Sequence, residues 1–375
     1  MKSLRVLSLV SICSLGLYAQ GPITGSGSET VAKKKTADSS SAPSSSASPD
    51  STNSNGGTIP SEFKKDKTQQ QPQATFHTDA LTISVDVAVL DNNGHFIPRI
   101  PQGNFRVLED NQPQKITGFS LGQAPMTMAM VIEFSNRFES LFGPGWFQVL
   151  NATYGFVQTL KPDDYVAVVA YDLKPEILSD FSANRQDTYE ALQRLTVPGF
   201  SEANLFDALV DTATRMQNIE GRKAILLLSS GVDTFSRLTY DKARRAIQDA
   251  GVPVYAISLL QWLRLVMPNG DSIGFLQADN QMKTFAKESG GMAFYPRFYG
   301  EMPQIYQQIS EAMRNQYVLS YQPTNQERDG KYRKIRVELI NPQTNEPLRV
   351  VDQKGKPIKY QIIAKNGYTA PRPVE

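Results

Sequence analysis

The sequence predicts an α/β protein in which a doubly wound, mostly parallel sheet is inserted between two β-rich pieces. Three observations carry that prediction. From Met126 onward, apolar runs alternate with segments of helical periodicity, the rhythm of a sheet covered by helices on both faces. Before and after this stretch, apolar residues recur at every second position, as in strands with one buried face. Ahead of both lies a segment too polar to build a core.

At the N-terminus, Lys2 and Arg5 precede an apolar run from Val6 to Leu17 that ends in Leu17-Tyr18-Ala19 before Gln20. A basic start, a short apolar stretch and a small residue at the cut make residues 1–19 an expected secretory signal, too short for a permanent anchor. The mature chain is then expected to be secreted or periplasmic, with no membrane span left. Ile12 is bulky where a lipoprotein signal wants a small residue ahead of Cys13, so lipidation is not expected. Cys13 is the only cysteine, which leaves the mature chain without thiol or disulfide chemistry. Residues 20–75 are rich in Ser, Pro, Gly, Asn, Gln, Thr and Lys and bury too little apolar surface to offset the entropy of ordering; a disordered linker is expected.

Residues 76–124 form the first β piece. Leu81, Ile83, Val85, Val87 and Val89 alternate along a strand, and Asn93-Gly94 supplies a hairpin turn. Phe105, Val107 and Leu108 lead to a turn at Asp110-Asn111, and Ile116 to Phe119 makes another short strand. So small a piece has to complete its sheet elsewhere in the chain.

Residues 125–314 carry the α/β pattern. Met126 to Phe134 reads as a strand buried on both faces. Phe147, Leu150, Tyr154, Val157 and Leu160 recur at helical spacing, Tyr165 to Tyr171 is a second buried strand, and Ile177 to Phe181 a short edge strand. A helix is expected over Leu205 to Ile219, a strand over Ala224 to Ser229, a helix over Tyr240 to Ala250 and a strand over Val252 to Leu260. Helices near Met282 to Glu288 and Met302 to Met313 flank a short strand at Met292 to Tyr295. Residues 315–375 return to β: Tyr317 to Tyr321, an Asp329-Gly330 turn, Ile335, Val337 and Leu339 in alternation, then Pro347 to Val351 and Ile358 to Ile363. The pattern leaves open whether the two β pieces join in one sandwich.

Charge and motif content exclude several functions. The formal net charge is +2, and loss of Lys2 and Arg5 with the signal takes it to about zero, with no basic face for nucleic acid. The two histidines, His77 and His95, lack metal-site spacing. No Gly-x-Ser-x-Gly elbow is present, and Glu133-Phe134-Ser135-Asn136-Arg137 offers no glycines for a dinucleotide phosphate. Asp163-Asp164 reads as a turn before a strand, and Asp207 and Asp211 as one polar helix face. Neither catalysis nor a cofactor is expected.

Three segments resemble motifs of the von Willebrand factor A domain, and the whole is similar to the VWFA-related Acidobacterial domain family. Met126-Thr-Met-Ala-Met-Val-Ile-Glu-Phe-Ser135 looks like the family's first strand, which ends in Asp-x-Ser-x-Ser. Ser201-Glu-Ala-Asn-Leu-Phe-Asp-Ala-Leu209 resembles its Gly-x-Thr-x-Leu-x-Asp-Ala-Leu helix start, and Ala224-Ile-Leu-Leu-Leu-Ser-Ser-Gly-Val-Asp233 its Leu-Leu-Thr-Asp-Gly-x-Asp strand end. The resemblance extends to Asn104-Phe-Arg-Val-Leu-Glu-Asp-Asn111, Asp329-Gly-Lys-Tyr-Arg-Lys-Ile335 and Asn366-Gly-Tyr368.

In that family these motifs build a metal-ion-dependent adhesion site. Here Glu133 stands at the first Asp position, Ser135 keeps the first Ser, Arg137 replaces the second Ser, Ala203 the Thr and Ser230 the second Asp. The resemblance therefore implies a degenerate site, with Asp233 beside it and no bound metal expected, because a hard cation needs several converging oxygens. The expected function is a non-enzymatic adhesion or scaffolding module for a protein partner. Alternatives are a structural subunit of an envelope assembly that pairs through its β pieces and, less favoured, a hydrolase with an unrecognised site. The binding face is placed on loops at the C-terminal ends of the parallel strands, which carry Arg137, Phe138, Phe200, Phe235 and Trp262 and the apolar stretch Leu263 to Met267. Phe142 and Trp146 are read as packing beneath these loops.

Overall fold

The computed structural model describes residues 81–122, 125–136, 145–196, 199–260, 272–351 and 354–372. The expected signal and linker lie outside these residues. The chain opens with β1 (Ile83–Asp91), β2 (Phe105–Glu109), β3 (Gln112–Gln114) and β4 (Ile116–Gly122). An α/β unit follows: β5 (Met126–Glu133), α1 (Gly145–Thr159), β6 (Tyr165–Tyr171), β7 (Pro175–Ser182), α2 (Arg185–Gln193), α3 (Leu205–Met216), β8 (Arg222–Ser229), α4 (Tyr240–Ala250), β9 (Val254–Ser258), α5 (Ser272–Ser289), β10 (Ala293–Phe294) and α6 (Met302–Arg314). It closes with β11 (Gln316–Tyr321), β12 (Tyr332–Leu339), β13 (Val350–Val351), β14 (Pro357–Ile358), β15 (Tyr360–Ala364) and β16 (Gly367–Thr369).

The central sheet has the order β10-β9-β8-β5-β6-β7 and is parallel except for β7. All eight residues of β5 are buried, as a strand with neighbours on both edges and helices on both faces requires. One face packs on α1 and α6 through Met128, Met130, Phe156 and Ile309, the other on α3, α4 and α5 through Val131, Leu209, Ile247 and Phe285. The antiparallel edge strand β7 is nowhere fully buried. Helix α4 stops at Gly251, whose φ of 63° only glycine adopts without strain and whose N–H closes on the carbonyl of Gln248. Helix α2 is not among the expected elements. Asn184 starts it by accepting a hydrogen bond from the amide of Gln186.

Strands from before and after the α/β unit interleave in two sheets, β15-β1-β11-β4 and β16-β12-β2-β3. The expected pieces thus form one sandwich. Its core contains Val85, Val87, Val89, Phe105, Val107, Tyr317, Leu319, Tyr321 and Ile335. Buried Glu109 accepts hydrogen bonds from the hydroxyls of Tyr321 (2.7 Å) and Tyr368 (3.2 Å), so a carboxylate inside the sandwich is satisfied. β1 changes character along its length. Ser84 and Asp86 alternate with buried valines, but Ala88 and Leu90 are buried too and belong to the core that includes Ile305, Ile309 and Ala312 of α6. The same strand therefore serves the sandwich with one face and the α/β unit with the other.

Two polar knots fix this junction at the N-terminal edge of the central sheet. Asp164 accepts from the amides of Met126 (3.0 Å) and Lys161 (2.7 Å) and from the guanidinium of Arg314 (2.6 Å). Arg222, at the start of β8, donates to the carbonyls of Met313 and Arg314, which a helix leaves unpaired at its C-terminus, and to that of Gln316 at the start of β11. Replacing Arg222 by Leu strands those carbonyls in a buried setting. The expected cost is about 2–3 kcal/mol, read as a lower urea midpoint at unchanged m-value; an unshifted midpoint contradicts this role.

Candidate functional site

The carboxyl ends of β5, β6 and β8 meet around Glu133. Parallel register sets Glu133 opposite Tyr171, and Ser229 and Ser230 follow from the neighbouring strand. Oε1 of Glu133 accepts from the hydroxyls of Ser135 and Ser230, both at 3.1 Å. Oε2 accepts from the Ser230 amide (2.7 Å), the Ser230 hydroxyl (2.8 Å) and the Ser229 hydroxyl (2.9 Å). The Tyr171 hydroxyl lies 3.4 Å from Oε2 but 2.7 Å from Ser229, so its single proton goes to Ser229, which passes its own to Glu133. Glu133, Ser135, Ser229, Ser230 and Tyr171 are all buried. Burial pushes the Glu133 carboxyl above its ordinary 4.5, against the lowering effect of the Ser230 amide and the hydroxyls of Ser230, Ser229 and Ser135. Burial, with the charge of Glu133 next, drives the Tyr171 phenol well above 10.

Next to this cage the backbone makes a sharp exit. Gly231 has φ 75°, and a Cβ there would meet the Met282 sulfur at 2.5 Å. Asp233 turns away from Glu133. Its Oδ1 accepts from the Phe206 amide (3.1 Å) and the Ser236 hydroxyl (2.5 Å), which caps α3. Thr234 brackets Ala203, its hydroxyl accepting from the Ala203 amide (2.8 Å) and its own amide donating to the Ala203 carbonyl (2.9 Å). Asp207 accepts from the amides of Arg237 (3.0 Å) and Leu238 (3.1 Å) and thereby pins the far end of the same loop.

Of the site residues read from the sequence, Glu133, Ser135 and Ser230 come together, while Ala203 and Asp233 belong to the adjoining loop contact. Arg137, Phe138 and Trp262, like Phe142 and the stretch 263–267, lie outside the described residues. Tyr171 and Ser229 were not anticipated; their signal was the strand register, which a linear motif does not contain. Trp146 is buried and donates from its indole to the Leu195 carbonyl (3.4 Å). Phe200 and Phe235 are 52% and 68% exposed. Ile273, Leu276 and Phe298 are exposed as well. All five sit on segments that follow a parallel strand or lead into the next helix at the C-terminal edge. A cleft of about 470 Å³ opens there between Phe206, Val232, Tyr240, Phe275 and Gln281.

The donor set suits a hard cation poorly. A metal ion asks for several converging oxygen lone pairs, yet Asp233 is engaged at α3 and Ala203 has no side-chain oxygen.

Fold and site together define an open α/β domain with its polar cluster at the carboxyl ends of the central strands. Residues 139–308 match the von Willebrand factor type A domain, and the chain carries a domain of that family. No curated protein matches the chain in sequence. Among solved structures, it is similar to a point mutant of the PilB minor pilin from Streptococcus sanguinis, at 13% identity and a TM-score of 0.41 over 52% of this chain and 62% of the pilin. It thus spans less than two thirds of the pilin's length. Proximal thread matrix protein 1 from the mussel byssus gives 14% identity and a TM-score of 0.41 over 55% and 51% of the two chains. The vWF domain of the type V pili tip protein Mfa5 from Porphyromonas gingivalis gives 13% and 0.39 over 51% and 97%.

The raised carboxyl of Glu133 has a definite sign. The folded state holds its proton to higher pH than the unfolded chain, so this group's contribution to stability is fullest below about pH 4.5 and falls as pH rises through the folded pKa. In EDTA, the unfolding free energy of the wild-type protein relative to Glu133→Gln is expected to drop as pH rises above 4.5. A flat difference contradicts the burial argument. Glu133→Ala, which strands the converging donors, is expected to cost about 2–4 kcal/mol.

Proposed function

We propose that the protein is an exported, non-enzymatic binding module that holds a protein partner on the C-terminal rim of its α/β domain without a metal ion. The exposed apolar arc of Phe200, Phe235, Ile273, Leu276 and Phe298 carries this reading, because large side chains left in water at one edge of a sheet mark a contact surface. The adjoining cleft gives the arc a concave floor. The lack of a side-chain oxygen at Ala203 and the engagement of Asp233 at α3 support metal independence, and adhesion or scaffolding is the role such a rim serves. Export rests on the N-terminal sequence pattern. Among the described residues, no helix is long and apolar enough to cross a membrane.

One observation favours a second reading, assembly through strand pairing. β4 is an open edge of its sheet, without a charged residue or proline to blunt it, and Leu121 is 50% exposed.

Capture of a partner from envelope extract separates the two. Phe200→Ala with Phe235→Ala is expected to weaken capture about tenfold or more at an unchanged melting temperature. Leu121→Lys is expected to leave capture intact; the reverse pattern transfers the function to the β4 edge. Calorimetric titration with Mg²⁺, Mn²⁺ and Ca²⁺ is expected to show no micromolar site, and capture is expected to persist in EDTA. A stoichiometric micromolar site lost in Glu133→Ala refutes metal independence.

A further inference from the structure

The hairpin β13–β14 forms a two-stranded sheet of its own, with only the rungs Val350–Ile358 and Val351–Pro357. So short a ribbon has little stability alone. It is tethered to the sandwich at its base, where the Leu348 amide donates to the Leu339 carbonyl (3.0 Å) and the Tyr360 hydroxyl to the Leu348 carbonyl (2.9 Å). Side chains alternate between the faces of a strand. Val350 and Ile358 share the half-buried face, whereas Val351, 53% exposed, and Pro357 share the outer one.

Cations surround that outer apolar pair. Arg349 and Lys359 stand next along the two strands from the Val350–Ile358 rung, on the face of Val351 and Pro357, and both are exposed. Like charges set side by side on a short ribbon oppose its pairing, and an exposed valine and proline gain nothing in water. Both features become favourable against a surface that is negative outside and apolar a few ångströms beneath.

We propose that this ribbon docks the protein on a bilayer rich in anionic lipid, Arg349 and Lys359 lying among the headgroups and Val351 and Pro357 reaching the acyl boundary. An acidic protein would satisfy the cations alone; the bilayer satisfies the apolar pair as well. The ribbon belongs to the sandwich and not to the rim, so the proposal stands or falls independently of partner capture.

Co-sedimentation of the full mature chain at low salt tests it, using phosphatidylcholine vesicles with and without about a third of the lipid replaced by phosphatidylglycerol. Each cation near such a surface contributes about fivefold in affinity, so Arg349→Gln with Lys359→Gln is expected to weaken binding to the anionic vesicles roughly 20-fold. The lysines of the N-terminal segment are shared by both proteins and cancel in that comparison. Val351→Trp is expected to tighten binding and show a blue-shifted tryptophan emission. It decides the question even if the double variant folds poorly. Equal binding of wild type and double variant, equal binding to both vesicle types, or Val351→Trp emission unmoved by vesicles overturns the proposal. So does binding to soluble polyglutamate as strong as to vesicles with the same loss in the double variant, which assigns the ribbon to an acidic protein.

Discussion

Burial of one carboxylate at the end of the central strand is the constraint around which the upper half of this molecule is arranged. β5 is enclosed on every side, so whatever stands at its last position is removed from water with it. A glutamate there needs donors, and an unpaired carboxylate in such a place is far costlier than a paired one. The end of β8 and the turn after β5 supply them as three serine hydroxyls and one backbone amide, with Tyr171 at the end of β6 donating to Ser229 in turn. Each hydroxyl has one proton, and here it is committed inward, so the polar heart of the domain acts as a structural keystone.

The sandwich occupies the opposite edge. Arg222, Asp164 and the double-sided burial of β1 concentrate the junction where the parallel strands begin. The edge where they end keeps its exposed aromatics and its cleft. This division explains why β1 loses its polar alternation at Ala88. From that residue onward its second face no longer meets water but α6.

Legibility in the sequence followed the strength of the burial pattern. The runs at Met126, Tyr165 and Ala224 are apolar because both faces are covered, and each emerged as a central parallel strand. Helix α2 escaped notice because only Thr188, Ala191 and Leu192 of its nine residues are buried, too few to impose a period. Helix α5 begins ten residues before the expected Met282, since its first turns carry exposed Ile273 and Leu276 where a core-facing pattern would have polar residues. At the site, motif spacing located Glu133, Ser135 and Ser230, but only strand register brings Tyr171 and Ser229 to them. Asp233 looked like part of the same cluster because it follows Ser229 so closely in the chain; the turn at Gly231 redirects it to α3.

The neck between the two parts also sets how force passes through the protein. The α/β unit leaves the sandwich after β4 and returns at β11, and these strands are antiparallel neighbours whose pairing includes Gly122 opposite Gln316. Only Asn315 separates the last helix from β11. A pull on the rim is therefore delivered to the sandwich along two adjacent strands in the same direction. β11 is held in turn by β1, so the load falls along the strand axes and strains many hydrogen bonds at once, in shear, instead of opening them one after another. The two crossings between the α/β unit and the sandwich are thus placed where tension between the two parts is resisted in shear.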